Sequence, residues 1–216
     1  GYDMIDVPLC RSAGIEVCNV HGYSTRSVAQ HAFTLLLANA FDLEAYRDMV
    51  REGKWTGIPG FCYQNSRFVE LAGKTVGVYG CGAIGMKFAE ICKAFDMRVL
   101  ATKRSKISGI ENGIEFTTPE ELIAKSDYIS FHCPLTDETR GMVDRRFISK
   151  MKDGAVLINT SRGAVFNESD VADALKSGKL SGVGADVLSV EPADPANPLL
   201  SAPNAVITPH CAWTSK

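Results

Sequence analysis

The sequence predicts an α/β fold, a doubly wound parallel sheet with helices on both faces. Three observations carry that prediction. Short runs of β-branched and aliphatic residues alternate along the chain with stretches of helical periodicity. The runs are apolar at consecutive positions, as strands buried on both faces are. The composition permits a sizeable core, with 216 residues of which 45% are hydrophobic and 22% charged. With 23 basic and 25 acidic residues the net charge is −2, and the two signs are interspersed. Nucleic acid and anionic membrane surfaces are therefore disfavoured as partners.

Residues 15–20 read as a strand. Ser24 or Thr25 can cap a long helix through Ala29, Phe33, Leu36, Leu37 and Ala40 toward Arg51, apolar at helical spacing. Residues 53–73 contain Gly and aromatic residues with weak periodicity and read as a linker, with Trp55, Phe61 and Tyr63 as packing residues. A short buried strand at 74–79, a helix at 83–95 and a second strand at 98–102 follow. Thr118-Pro119-Glu120-Glu121 is a capping box with proline at the first helical position, which starts a helix to about Lys125. Strands at 128–132 and 155–159 flank a short helix at 145–151. A helix over 167–177 stops at Gly178, and strands at 183–187 and 205–208 complete the set. The longest strongly apolar stretch, 32–40, falls far short of the ~20 residues a membrane-spanning helix needs. Seven cysteines, none spaced C-x-x-C, fit the reducing cytoplasm, most of them as small core residues. No metal is expected.

The chemistry belongs after the strands, because ligands of such sheets lie at the carboxyl ends of the strands. Gly80-Cys81-Gly82-Ala83-Ile84-Gly85 directly follows the strand at 74–79 and opens the next helix. Gly80 permits the tight turn, Gly82 admits a pyrophosphate close to the backbone, and Gly85 lets helix and strand pack. The N–H groups of Ala83 and Ile84 would meet the phosphate charge. In this strand-turn-helix setting the motif points to a Rossmann-type dinucleotide-binding domain, the alternative being a structural Gly-rich turn. Cys81 reads as a small side chain between glycines. An acidic residue that would bind the ribose 2′-OH is expected at the end of the second strand, and the run there is Thr102-Lys103-Arg104-Ser105. Lys103 and Arg104 can pair with a 2′-phosphate, which favours NADP; the alternative is two solvated charges.

Three further strand ends present Arg162, Glu191 and His210. Arginine can hold a carboxylate bidentately, and histidine oriented by a carboxylate can act as general acid or base near neutral pH. Taken singly, Arg162 also reads as a structural ion-pair residue and Glu191, before Pro192, as a loop charge. His21, His31 and His132 read as satisfied structural histidines.

Residues 1–6 (GYDMID), Ser27-Val28-Ala29-Gln30-His31, the glycine motif and Pro209-His210, in that order, resemble the D-isomer-specific 2-hydroxyacid dehydrogenases across essentially the whole chain. The stretches 19–31 and 210–216 are most similar to glycerate dehydrogenases, also called hydroxypyruvate reductases. The resemblance implies hydride transfer between NAD(P) and a small 2-oxo or D-2-hydroxy acid, with hydroxypyruvate/glycerate or glyoxylate/glycolate favoured. It implies that Arg162 binds the substrate carboxylate and carbonyl oxygen, that His210 is the proton donor and that Glu191 is its partner. It places Asp186 near the nicotinamide, Thr160 and Ser161 along the cofactor, Cys133 and Pro134 at its adenosine side, and Ala212 and Trp213 beside His210, with Arg162 and His210 also bordering the cofactor. Lys103 stands where the family has its acidic residue, and His21 where proline is common.

The resemblance also implies a homodimer through the dinucleotide-binding domain, with the helix after Thr25 at the interface; the apolar content of its run 33–38 is consistent with burial on more than one face. Gly1 looks like a cut rather than a natural start. Residues 1–23 are expected to be a remnant of a flavodoxin-like substrate-binding domain, 24–212 the dinucleotide-binding domain, and 213–216 the start of a truncated C-terminal crossover helix. Two other functional readings stand beside the dehydrogenase. One is a cofactor-sensing binding module resembling the family's corepressors, and the other a catalytically incompetent fragment. Glu191 argues against the related formate dehydrogenase.

Overall fold

The computed structural model describes residues 5–64, 67–105 and 108–215. Among them eight strands form one sheet: β1 (Thr75–Tyr79), β2 (Arg98–Thr102), β3 (Gly109–Glu111), β4 (Ile114–Phe116), β5 (Tyr128–Phe131), β6 (Ala155–Asn159), β7 (Leu180–Ala185) and β8 (Ala205–Ile207). Their spatial order is β3-β4-β2-β1-β5-β6-β7-β8. Every pair is parallel except β3 with β4. The helices are α1 (Val7–Ser12), α2 (Thr25–Ala40), α3 (Leu43–Arg51), α4 (Ala83–Ala94), α5 (Pro119–Lys125), α6 (Arg145–Ser149) and α7 (Glu168–Lys176). None is long and apolar enough to cross a membrane. The doubly wound sheet expected from the apolar runs is the observed architecture.

Successive strand residues point to opposite faces, and here each face has its own helices. Val76, Val78, Val99, Ala101, Val156 and Ile158 pack with α2 and α4. Leu100, Ile129, Phe131 and Leu157 pack with α5, α6 and α7. Each fully buried Leu, Ile or Phe contributes roughly 1.5–3 kcal/mol, which explains why the central strands show no polar alternation. Helix α2 closes on β7 over two glycines. A Cβ at Gly182 would lie 2.1 Å from Asn39 Oδ1, and one at Gly184 2.8 Å from Leu35 Cβ.

The helix expected to run to Arg51 is two helices. Phe41 turns extended (φ −136°, ψ 117°) and bridges to Phe68, while the Asp42 carboxylate caps α3 by accepting from Ala45 N at 3.1 Å. The cap and the bridge outweigh a continuing apolar pattern. The strand expected at 15–20 is absent: these residues carry no strand and all but Val17 are exposed. A period-2 pattern needs a neighbouring strand to hold it, and among the described residues this segment has none. The β3–β4 hairpin is an addition to the expected set. Its turn is Asn112-Gly113, both at positive φ (51° and 72°), as a two-residue hairpin requires. Trp55 and Phe61 are exposed rather than packed, linked by the indole N–H donating to Phe61 O at 3.2 Å. His21, read as structural, is also exposed.

Candidate functional site

Strand order reverses at β1, which lies between β2 and β5, and a crevice opens at the carboxyl ends of the strands there. Gly80 adopts φ +94°, and a Cβ on it would sit 2.7 Å from Cys133 N, so the loops after β1 and β5 touch backbone to backbone. A Cβ at Gly85 would lie 2.6 Å from Gly80 O, which draws α4 onto β1. A Cβ at Gly82 would meet nothing within 4 Å among the described residues. That open face adjoins the first turn of α4, whose N–H groups lack intrahelical acceptors. A pyrophosphate fits this cradle.

Beyond Gly82 a cavity of about 490 Å³ is walled by Thr102, Lys103 and Arg104 on one side and by Cys133, Pro134, Glu138 and Thr139 on the other. Arg104 Nη2 donates to Glu138 Oε2 across it at 3.1 Å. Burial pushes the Cys81 thiol up and that of Cys133 to about 11. Both are therefore neutral wall residues at physiological pH. The wall histidine, His132, pairs with Ser130 Oγ at 2.9 Å, and burial drives its pKa down to about 3.

A second cavity, about 720 Å³, gathers Ile84, Thr160, Arg162, Asp186, Glu191, His210, Ala212 and Trp213. His210 Nδ1 lies 2.6 Å from Glu191 Oε2, and the other oxygen of Glu191 accepts from Leu188 N at 3.0 Å. With Nδ1 donating to the carboxylate, Nε2 is the nitrogen left for a reacting group. His210 adopts φ +52°, and its N–H is fixed by Asp186 O at 2.8 Å and Thr208 O at 3.0 Å. Asn159 Nδ2 donates to Arg162 O at 2.9 Å, and Arg162 Nη1 donates to Ser161 O at 2.7 Å. Thr160 Oγ1 is buried without a hydrogen-bond partner among the described residues, an orphaned polar atom of the kind a ligand satisfies.

Asp186, 1% exposed, ties this cavity together. Its Oδ1 accepts from Thr208 Oγ1 at 2.6 Å and Cys211 N at 3.0 Å, and its Oδ2 from Ala212 N at 2.9 Å. Because the Thr208 hydroxyl spends its proton on Asp186, it must accept from His31 Nε2 at 2.8 Å, which fixes the His31 tautomer. His31, Asp186 and Cys211 bring three ligand-type atoms within 4.8 Å of one another. The shared carboxylate oxygen is already engaged by Thr208 and the Cys211 N–H.

Residues 33–212 match the family model described as D-isomer specific 2-hydroxyacid dehydrogenase, NAD binding domain. The chain belongs to this family. It is 42% identical to the hydroxypyruvate reductase of Blautia hydrogenotrophica, matching all of this chain and 67% of that protein. The TT0316 protein of Thermus thermophilus superposes with a TM-score of 0.88 at 36% identity, over 100% of this chain and 67% of that one. The acyclic imino acid reductase Bsp5, solved with NADPH and D-Arg, gives a TM-score of 0.85 at 35% identity, again over 100% and 67%. The chain thus spans about two thirds of these relatives. As a family member it carries a domain for a nicotinamide cofactor.

In this dehydrogenase chain most of the residues singled out from sequence line the two cavities. Ala83 faces a shallower hollow with Met86 and Lys87, and Gly85 is buried within α4 where the helix meets β1. Ser161 turns its hydroxyl to Asn159 Oδ1 at 2.8 Å. Sequence reasoning misses Gly163, where a Cβ would fall 1.9 Å from Leu188 C. It also misses Thr208, Glu138 and the support that His31 gives Asp186. Gly163 has a signal, glycine directly after the strand-end arginine. The His31–Thr208 contact spans 177 residues and has none.

Proposed function

We propose that the chain is the cofactor-binding and proton-transferring part of an oxidoreductase that moves a hydride between NAD(P) and a small 2-oxo or D-2-hydroxy acid. Hydroxypyruvate/glycerate and glyoxylate/glycolate are the favoured pairs. The observation that carries this reading is His210, held by Glu191 at 2.6 Å in the same cavity as Arg162. When bound, the nicotinamide supplies or accepts the hydride. Arg162 orients the substrate carboxylate and carbonyl. His210 Nε2 holds the proton for the oxygen that becomes the hydroxyl, and Glu191 stabilises the imidazolium. Asp186, Ala212 and Trp213 border the nicotinamide side, Thr160 and Ser161 lie along the cofactor, and Cys133 and Pro134 stand at the adenosine. Gly80, Gly82, Ala83, Ile84 and Gly85 form the phosphate turn, whose open face at Gly82 supports this assignment.

Lys103 and Arg104 favour NADP over NAD. The test is NADH and NADPH oxidation with hydroxypyruvate, glyoxylate and pyruvate, measured on a protein of the relatives' full length that carries this chain. His210→Ala and Arg162→Ala should each remove most turnover. Full activity in both variants overturns the mechanism, and equal or better use of NADH overturns the preference.

Residues 24–212 are read as the dinucleotide-binding domain, with the segments on either side belonging to a substrate-binding unit and the whole working in the cytoplasm as a homodimer. In the run 33–38, Phe33, Leu35 and Leu36 pack within the chain and Leu37 is exposed. Exposed apolar side chains at Leu43, Val50, Trp55, Phe61 and Phe68 add a further surface suited to pairing around α3. A monomer mass by light scattering overturns the dimer.

A further inference from the structure

We propose that Glu138 sets the choice between the 2′-phosphorylated and unphosphorylated dinucleotides. This rests on the cofactor reading above and assigns the discrimination within it to one side chain. The end of β2 offers Thr102, Lys103 and Arg104 and no carboxylate. A carboxylate reaches the same cavity from the facing wall, on the loop after β5, where Glu138 Oε2 lies 3.1 Å from Arg104 Nη2 and 3.2 Å from Thr136 Oγ1. That loop is tied to itself. Thr136 N donates to Thr139 Oγ1 at 2.7 Å, Thr139 Oγ1 to Pro134 O at 2.8 Å, and Arg140 N to Thr136 O at 2.9 Å. Glu138 is thus presented from a fixed turn.

Arg104 and Glu138 are 82% and 79% exposed, so water screens their pairing and a ligand can displace either member. The two dinucleotides place opposite demands on the pair. A ribose diol is a donor, and Glu138 can accept from it while its other oxygen stays with Arg104. A 2′-phosphate is an acceptor and an anion. It pairs with Arg104, competes with Glu138 for the guanidinium and is repelled by the carboxylate. Glu138 therefore favours the unphosphorylated cofactor and restrains the preference that Lys103 and Arg104 create.

The test is calorimetric titration of the chain with NADH and with NADPH at low ionic strength, for the unchanged protein, Glu138→Gln and Arg104→Gln. In Glu138→Gln, NADPH should bind about fivefold more tightly and NADH about threefold more weakly, of the order expected for exposed charge contacts. In Arg104→Gln, NADPH should weaken by about tenfold while NADH stays within about twofold. Opposite signs for the two cofactors are what a merely structural role of the loop would not produce. An unchanged NADH-to-NADPH ratio in Glu138→Gln overturns the proposal and leaves the cofactor reading standing. Failure of the unchanged chain to bind either dinucleotide overturns both.

Discussion

Glycine at 163 is required by contact rather than by backbone torsion. A methyl group there would overlap the carbonyl carbon of Leu188, 1.9 Å away, and Leu188 N holds Glu191. Gly163→Ala should therefore lower the melting temperature by the equivalent of about 3 kcal/mol, the upper range for overpacking. It should also displace the Leu188–Glu191 loop, and thermal unfolding followed by circular dichroism reads the first effect. Glu191→Gln removes the counter-charge of the imidazolium. The amide oxygen can still accept from His210 Nδ1, but its NH2 group then meets the Leu188 N–H that the second carboxylate oxygen accepts from. Turnover should fall at least about tenfold with cofactor affinity unchanged, as steady-state kinetics beside direct titration would show. An equal loss in both would mean that Glu191 supports the fold of the cavity rather than the proton.

Asp127 joins three strands at the edge opposite the site. Its carboxylate accepts from Thr75 N at 2.8 Å and from Lys152 Nζ at 2.8 Å, while its carbonyl accepts from Val156 N at 2.9 Å. Burial pushes its pKa up, but the Lys152 and Thr75 hydrogen bonds outweigh that and hold it below the usual 3.8. A lowered carboxyl pKa stabilises the fold above 3.8, and that contribution is lost as the pH falls through the folded-state value. Asp127→Asn should lower stability at neutral pH and leave it less dependent on pH below about 4, as urea titrations at several pH values would show.

Elements of this kind differ in how far the sequence reveals them. The strand at β1, the turn at Gly80 and helix α4 are readable because periodicity and glycine spacing are local. The break at Phe41 is not, because the Asp42 cap competes with an apolar pattern that continues past it. The strand expected at 15–20 fails for a different reason. Alternation says which residues suit a sheet, not whether an edge is available. In the site, Arg162, Glu191 and His210 are readable as strand-end residues. The His31–Thr208–Asp186 chain exists only once α2 has crossed the sheet.

At the scale of the whole molecule, acid should act at the strand-order reversal. His132 lies beside Gly80, its N–H bonded to Tyr79 O at 2.9 Å and its ring 5.1 Å from that of Phe88. Burial lowers its pKa from 6.5 to about 3. The unfolded chain takes up a proton near 6.5 that the folded chain refuses. Stability is therefore full above 6.5 and declines as the pH falls from 6.5 toward 3. His132→Gln should flatten that decline in denaturant titrations between about pH 7 and 4. A slope unchanged by the substitution would place the acid sensitivity elsewhere.

The left-handed backbone at His210 restricts what evolution can put there. At φ +52°, β-branched and bulky side chains are strained, while glycine is free and Asn, Asp and His are the enriched exceptions. Of those four, only histidine exchanges a proton near neutrality. The shape of the loop thus selects the residue before any chemistry does. A library randomised at this codon, selected for folding alone, should already be drawn toward a handful of residues that includes the functional one.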